Sequence, residues 1–341
     1  MKRLPLLALL ATVACRADGG TAVPDPFAKQ GYDDAAPSPR TKVFLVAGGD
    51  DIANFAAEVL EQRTLWRRAG LSEDEIACYF AKPTARALRE DAEQYEALSL
   101  ALGSCRAATP AQLALDLRAA ADEAEGFVYL FVTSHGLASQ LGPLETSENP
   151  KTQRFVASLR PDERDVLDPA AIGLEAGKGP KLGESRAVVA ALREGVPAEQ
   201  TTFTPRTLAP LLEAFPADVK KIVVLQACFS GGFIDHHARR RAEPSPGADA
   251  LLAVPNLTVL TATAAERPSF GCGSGESRTY FGGAFNVALE QALEEHAPGD
   301  LPWADIYDQV TFAIEAMEAV QGQRASHPGF AATPPLQPPP S

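Results

Sequence analysis

KIVVLQACFSGG, residues Lys221 to Gly232, decides how the rest of this 341-residue chain is read. Ile222 to Leu225 are apolar without a break, and Ala227 follows beyond Gln226, the pattern of a strand buried on both faces of a parallel sheet. The strand ends at Cys228. Ser230, Gly231 and Gly232 come next, small residues that let the backbone turn sharply and leave little bulk around the sulfur. The carboxyl ends of parallel strands are where open α/β sheets place their chemistry.

A second apolar strand answers it upstream. FVYLFVT, Phe127 to Thr133, runs into His135 and Gly136. Taken singly, a cysteine after a strand is most simply a small core residue and a histidine a satisfied polar group. Two such strands, each followed by a reactive side chain and then glycine, instead deliver a nucleophile and a proton carrier to one sheet edge.

At these residues the chain resembles a known family. Thr133-Ser134-His135-Gly136 and Gln226-Ala227-Cys228-Phe229-Ser230-Gly231 are similar to the His-Gly and Ala-Cys-x-Ser-Gly motifs of the legumain-like (C13) cysteine peptidases, relatives of the caspases. The stretch TATAAERPSFGCGSGESRTYFGGAF, Thr261 to Phe285, resembles the segment that follows the nucleophile in bacterial members. The resemblance spans about Lys42 to Val320, with one long interruption. It implies a caspase-like, doubly wound, mostly parallel α/β sheet with helices on both faces, and a cysteine endopeptidase that uses no metal or cofactor. Cys228 would attack, His135 would carry the proton, and the N–H groups of Gly136 and Cys228 would hold the oxyanion. The family places a polar residue, normally Asn, after the first strand to orient the histidine, and Asp50 stands there; a helix-capping role for Asp50 is equally open. Legumains select Asn or Asp through a charged pocket. Gln226 and Gly283 occupy two of its positions here, so a less charged pocket lined in part by Gln226 and Ser269 is expected. Relatives of this fold also pass the acyl group to an amine, so a transpeptidase is an alternative, and a lipoprotein that only binds peptides or proteins is another.

The amino end sets an expected compartment. Lys2 and Arg3 precede a short apolar run, Leu4 to Ala14, with the shape of a signal-peptide core, and Thr12-Val13-Ala14-Cys15 resembles a bacterial lipobox. Residues 1–14 read as a lipoprotein leader, with Cys15 as the lipidated amino terminus, and 15–40, rich in Asp, Ala, Gly and Pro, as a tether. The expected location is the bacterial cell envelope, as a periplasmic or surface-exposed lipoprotein anchored to a membrane, the outer one rather than the inner. A net charge of −13 disfavours nucleic acid as a partner. The basic cluster Arg239 to Arg241, beside His236 and His237, reads as a solvated loop, and adjacent histidines lack metal-site spacing.

The peptidase domain is expected over 41–325. Val43 to Ala47 forms the first strand, with Gly48-Gly49 as its exit and Asp50 or Asp51 capping a helix; Ile76 to Ala81 and Leu257 to Ala262 form further strands. Helices are read over Thr84 to Leu102, from Thr109-Pro110, from Thr204-Pro205, over Tyr280 to Glu295 and over Trp303 to Val320. Between about 141 and 203 lies an insertion with one short helix near Ala187 to Leu192, a lid, specificity loop, self-cleaved segment or plain surface excursion. HPGFA is a poor strand, and 326–341 reads as a Pro-rich disordered tail. Cys78 and Cys105 either pair or stay buried thiols, and Cys272 reads as a structural thiol near the site.

Overall fold

Apolar runs of five to seven residues become β1 (Val43–Ala47), β2 (Ile76–Phe80), β4 (Phe127–Thr133), β7 (Lys220–Gln226) and β8 (Leu257–Thr261). With β3 (Arg106–Ala107) and β9 (Gly329–Ala332) they make one seven-stranded sheet in the order β3-β2-β1-β4-β7-β8-β9, parallel except where β9 runs against β8. A two-stranded ribbon of β5 (Gly136–Leu137) and β6 (Ala171–Ile172) stands beside it. The computed structural model describes residues 32, 40–84, 87, 89, 92–174, 182–234, 247–271 and 277–335. The leader, Cys15, nearly all of the tether, the Arg239 to Arg241 cluster with its histidines, and Cys272 lie outside them.

Alternate side chains of each strand enter opposite cores, as the two-residue period of a strand requires. On one face Val43, Leu45, Tyr129, Phe131 and Val224 meet α1 (Ala53–Arg68), α2 (Ala92–Leu102), α10 (Tyr280–Glu295) and α11 (Trp303–Gln321). On the other, Phe44, Val46, Leu130, Val132, Val223 and Leu225 meet α3 (Pro110–Ala121), α8 (Pro205–Glu213) and α9 (Ala248–Leu252). This is the doubly wound α/β sheet expected. Both Thr-Pro pairs open helices as read: Thr109 Oγ1 accepts from Gln112 N at 3.1 Å and Thr204 Oγ1 from Thr207 N at 3.2 Å. Lys221, at the amino end of β7, is wholly buried, and its three ammonium hydrogens are matched by the carbonyls of Pro216, Val219 and Pro255 at 2.9, 3.0 and 3.2 Å.

Three features differ from the expectation. Neither Asp50 nor Asp51 caps α1, whose N-cap is Ile52 with no side-chain bond. The tail does not begin at 326: Gly329–Ala332 pairs with β8, Tyr307 donates to Pro328 O at 3.0 Å, and Asn256 N donates to Pro334 O at 3.1 Å. Four small or aromatic residues at a sheet edge carry too little apolar pattern to be read as a strand. The insertion is not a loop. It holds α4 (Gly142–Glu145), α5 (Pro150–Ala157), α6 (Pro161–Leu167) and α7 (Leu182–Arg193) around a separate small core of Leu141, Leu144, Phe155, Leu159, Leu167 and Val189. Glu163, buried there, is gripped by Arg193 at 2.7 and 3.0 Å, which holds its carboxyl down at about 2.

Cys78 and Cys105 are joined, tying β2 to the residue that enters β3. Replacing both by Ala is expected to lower the unfolding free energy by about 2–4 kcal/mol in urea denaturation. Reduction of the wild type should produce the same loss.

Candidate active site

The site is built by strand register. Thr133 pairs with Ala47 on one side and with Gln226 on the other, so β1, β4 and β7 end level. Each ladder then runs one bond further, Gly48 N to Thr133 O at 2.9 Å and Ser134 N to Gln226 O at 3.0 Å. His135 and Cys228 therefore each stand two residues beyond the same register pair, on neighbouring parallel strands.

The glycines and small residues around them serve close backbone approach. A Cβ on Gly136 would lie 1.7 Å from the Cys228 carbonyl oxygen, one on Gly231 would lie 2.5 Å from Thr263 O, and one on Gly232 would lie 2.5 Å from Ala170 Cβ. The run after Cys228 is thus small because it packs against the exits of other strands, and clearance around the sulfur is secondary. Ser230 Oγ accepts from Ala262 N at 3.1 Å, locking this turn to the end of β8. Phe229 takes φ 59°, uncommon for a side chain of its size, and Phe229 N donates to Arg267 O at 2.8 Å.

His135 is held on every side. Its Nε2 meets Asp51 Oδ1 at 2.6 Å, Phe55 stands edge-on to its ring at 5.2 Å, and its carbonyl accepts from Gly173 N at 2.9 Å. Asp51, and not Asp50, is the residue that orients the ring. The residue after a strand exit cannot be assigned to a side chain by position alone, and neither aspartate has a periodic pattern to separate them. With Nε2 bound to a carboxylate, the tautomer carries its proton there and Nδ1 is the basic nitrogen. The Cys228 thiol is half-buried, and Ser269 N donates to its Sγ at 3.3 Å. Gln226 is fully buried. Its Nε2 reaches Ser269 Oγ at 3.4 Å, so it backs Ser269 from beneath and does not form an open pocket wall.

Beneath the site lies a buried carboxyl that the sequence did not reveal. Glu58 on α1 approaches Thr133 Oγ1 at 2.6 Å through Oε2 and accepts at Oε1 from Thr279 N and Thr279 Oγ1, both at 2.7 Å. Thr133 Oγ1 also meets Gln226 Oε1 at 2.8 Å. One hydroxyl hydrogen cannot serve two acceptors, so a proton on Glu58 completes the chain Glu58–Thr133–Gln226–Ser269 with every hydrogen used once. Burial raises the Glu58 carboxyl to about 7, against the pull of its Thr133 and Thr279 bonds and the Arg278 charge. Gly282 makes room for it: a Cβ there would fall 2.2 Å from the Glu58 carboxyl carbon. Only the spacing Phe55, Ala56, Val59, Leu60 marks the inward face of α1, and Glu58 lies outside that set.

Residues 194–333 match the model of the peptidase C13 family, a segment that includes the Cys228 motif, β8, α10 and β9. By this match and by the motifs at its two strand ends, the chain is a cysteine-type peptidase. Over that segment it is similar to the legumain-like C13 peptidases. Among solved structures it is similar to protein GSU0716 from Geobacter sulfurreducens, at 12% identity, covering 87% of this chain and 94% of that one with a TM-score of 0.46. It is also similar to caspase-1 from Spodoptera frugiperda, at 10% identity, covering 89% and 90% with a TM-score of 0.41. No curated protein matches the sequence.

A carboxyl with a pKa of about 7 in the fold and 4.5 outside it contributes stability that is complete below pH 4.5 and lost as the pH rises through about 7. The Glu58 contribution is on the order of 3 kcal/mol across that window. The unfolding free energy of the wild type relative to Glu58→Gln, followed by urea denaturation from pH 5 to pH 8, is expected to fall as the pH rises.

Proposed function

We propose that Cys228 and His135 form the catalytic dyad of an endopeptidase acting on peptides or proteins. The observation that carries this reading is their common position, two residues past one register pair, with Asp51 on the far nitrogen of the imidazole. In the reaction His135 Nδ1 takes the thiol proton, and Cys228 Sγ attacks the carbonyl carbon of the scissile bond. The N–H groups of Gly136 and Cys228 hold the oxyanion that this addition forms, and its collapse back to a carbonyl breaks the C–N bond. The imidazolium returns its proton to the leaving amine, which departs with its electron pair. Water then gives a proton to Nδ1 and its oxygen to the thioester carbon, and the sulfur leaves as the thiol on recovering that proton. Ser269, backed by Gln226, faces the residue before the cleaved bond.

The same reading places the protein in the bacterial envelope, held by lipid at Cys15. The Cys78–Cys105 bridge supports an oxidising compartment. Among the described residues no helix is long and apolar enough to cross a membrane.

On a mixed peptide library, Cys228→Ala is expected to abolish cleavage and His135→Ala to lower kcat by about 10²–10⁴-fold. Asp51→Asn should lower kcat while KM holds, because it disturbs the tautomer and not the substrate contacts. Unchanged cleavage in Cys228→Ala would remove the thiol from the mechanism. Mass spectrometry of the amino-terminal peptide tests lipid at Cys15: an acylated Cys15 that is lost in Cys15→Ala supports the anchor, and an unmodified wild-type Cys15 refutes it.

A further inference from the structure

A cavity of about 380 Å³ opens beside His135, and nothing in the mechanism above uses it. Its apolar walls are Leu137, Ile172 and Leu174 from the β5–β6 ribbon and its exit, Val188 and Ala191 from α7, and Phe203. These walls come from the insertion and its seams. They are held in fixed relation to the imidazole, because Gly173 N donates to His135 O at 2.9 Å, Ser134 Oγ donates to Gly173 O at 2.5 Å, and Ile172 N donates to Phe203 O at 3.0 Å. Gln140 Nε2 donates to Thr202 Oγ1 at 2.7 Å, so two of the polar groups at the cavity satisfy each other.

The cavity lies on one particular side of the nucleophile. In the sheet β7 sits between β4 and β8, so Cys228 has the β4 exit with His135 on one flank and the loop after β8 with Ser269 on the other. The histidine must reach the amine that leaves when the peptide bond breaks. The residue carrying that amine therefore lies on the histidine's flank, where His135 itself is part of the cavity lining. Glu184 is the one carboxylate among the described lining residues, and apart from it and His135 the walls are apolar or uncharged. Such a pocket gains from burying a hydrocarbon side chain and loses from burying a carboxylate beside Glu184.

We propose that this cavity binds the side chain of the residue immediately after the cleaved bond and selects a large apolar one. The inference rests on the dyad reading. It assigns the insertion a specificity role on the leaving side.

The test uses peptides identical up to the cleaved bond and carrying Leu, Phe, Gly or Asp directly after it, with the wild-type protein, Val188→Trp, Ala191→Trp and Cys228→Ala. Wild-type kcat/KM is expected to be at least about 10-fold higher for Leu and Phe than for Gly, with Asp lowest. The two Trp variants fill the cavity from α7, and the Leu-to-Gly ratio should collapse toward one in whichever of them folds. Reading the ratio cancels any loss common to both substrates. A wild-type ratio near one, or a ratio retained in the folded Trp variants, overturns the proposal while leaving the dyad standing. Cleavage that persists in Cys228→Ala overturns the dyad instead. If neither Trp variant folds, the wild-type ratio alone decides.

Discussion

The pairing of β4 with β7 is the constraint on which the rest of the molecule depends. The two strands run level over their full seven residues, from Phe127 opposite Lys220 to Thr133 opposite Gln226. A slip of one residue would exchange the faces of every side chain beyond it. It would turn Tyr129 and Phe131 out of one core and Leu130 and Val132 out of the other, and would separate His135 from Cys228 by a strand step. Two filled cores thus enforce a register that chemistry at the strand ends requires. The closeness is extreme enough at Gly136 that no side chain fits between the two exits.

Polar groups secure the same register from within. Thr133 and Gln226, the last pair of the ladder, are both fully buried and meet each other, and Thr133 also meets Glu58. A buried polar group without partners is costly, so this layer is satisfied in one alignment and penalised in others. Tyr129 extends it downward, donating to Gln62 at 2.8 Å, and Gln62 donates to Asn286 on α10 at 3.0 Å. The carboxyl at the top of this ladder of bonds connects α1, the two central strands and the amino end of α10. Its protonation state therefore bears on the loop that carries Ser269 and touches the sulfur, through Gln226.

What the sequence made legible follows from which signals are local. Five strands announced themselves because burial on both faces writes an unbroken apolar run, and the Thr-Pro openings of α3 and α8 because a cap and a first-turn proline sit side by side. The pair of reactive residues was readable because each terminates such a run. Asp51 was not, since Asp50 and Asp51 are adjacent in sequence and only the path of the loop after β1 selects between them. Glu58 was hidden for a different reason: a charged residue on a helix is ordinarily read as solvent-facing, and its partners lie 75 and 221 positions away. β3 escaped because two residues have no period. Its Arg106 is held by Asp116 of α3 at 3.0 Å and by the neighbouring disulfide, and none of these is a strand signal.

The insertion shows how such a chain can vary without endangering its centre. Its helices close on their own small core and carry their own ion pair, the half-exposed Arg193 on the buried Glu163, while Ile172, Leu174 and Phe203 join the core of the sheet. Their link to the site is narrow, made by the short β5–β6 ribbon and the bonds among Ser134, His135, Gly173 and Phe203. Substitutions on α7 can therefore reshape the cavity beside the histidine while the ring stays seated between Asp51 and Phe55, which belong to the loop after β1 and to α1. The groups that move the proton and the surface that meets the leaving residue are supported by different parts of the chain. That separation lets a demanding register coexist with a pocket free to change.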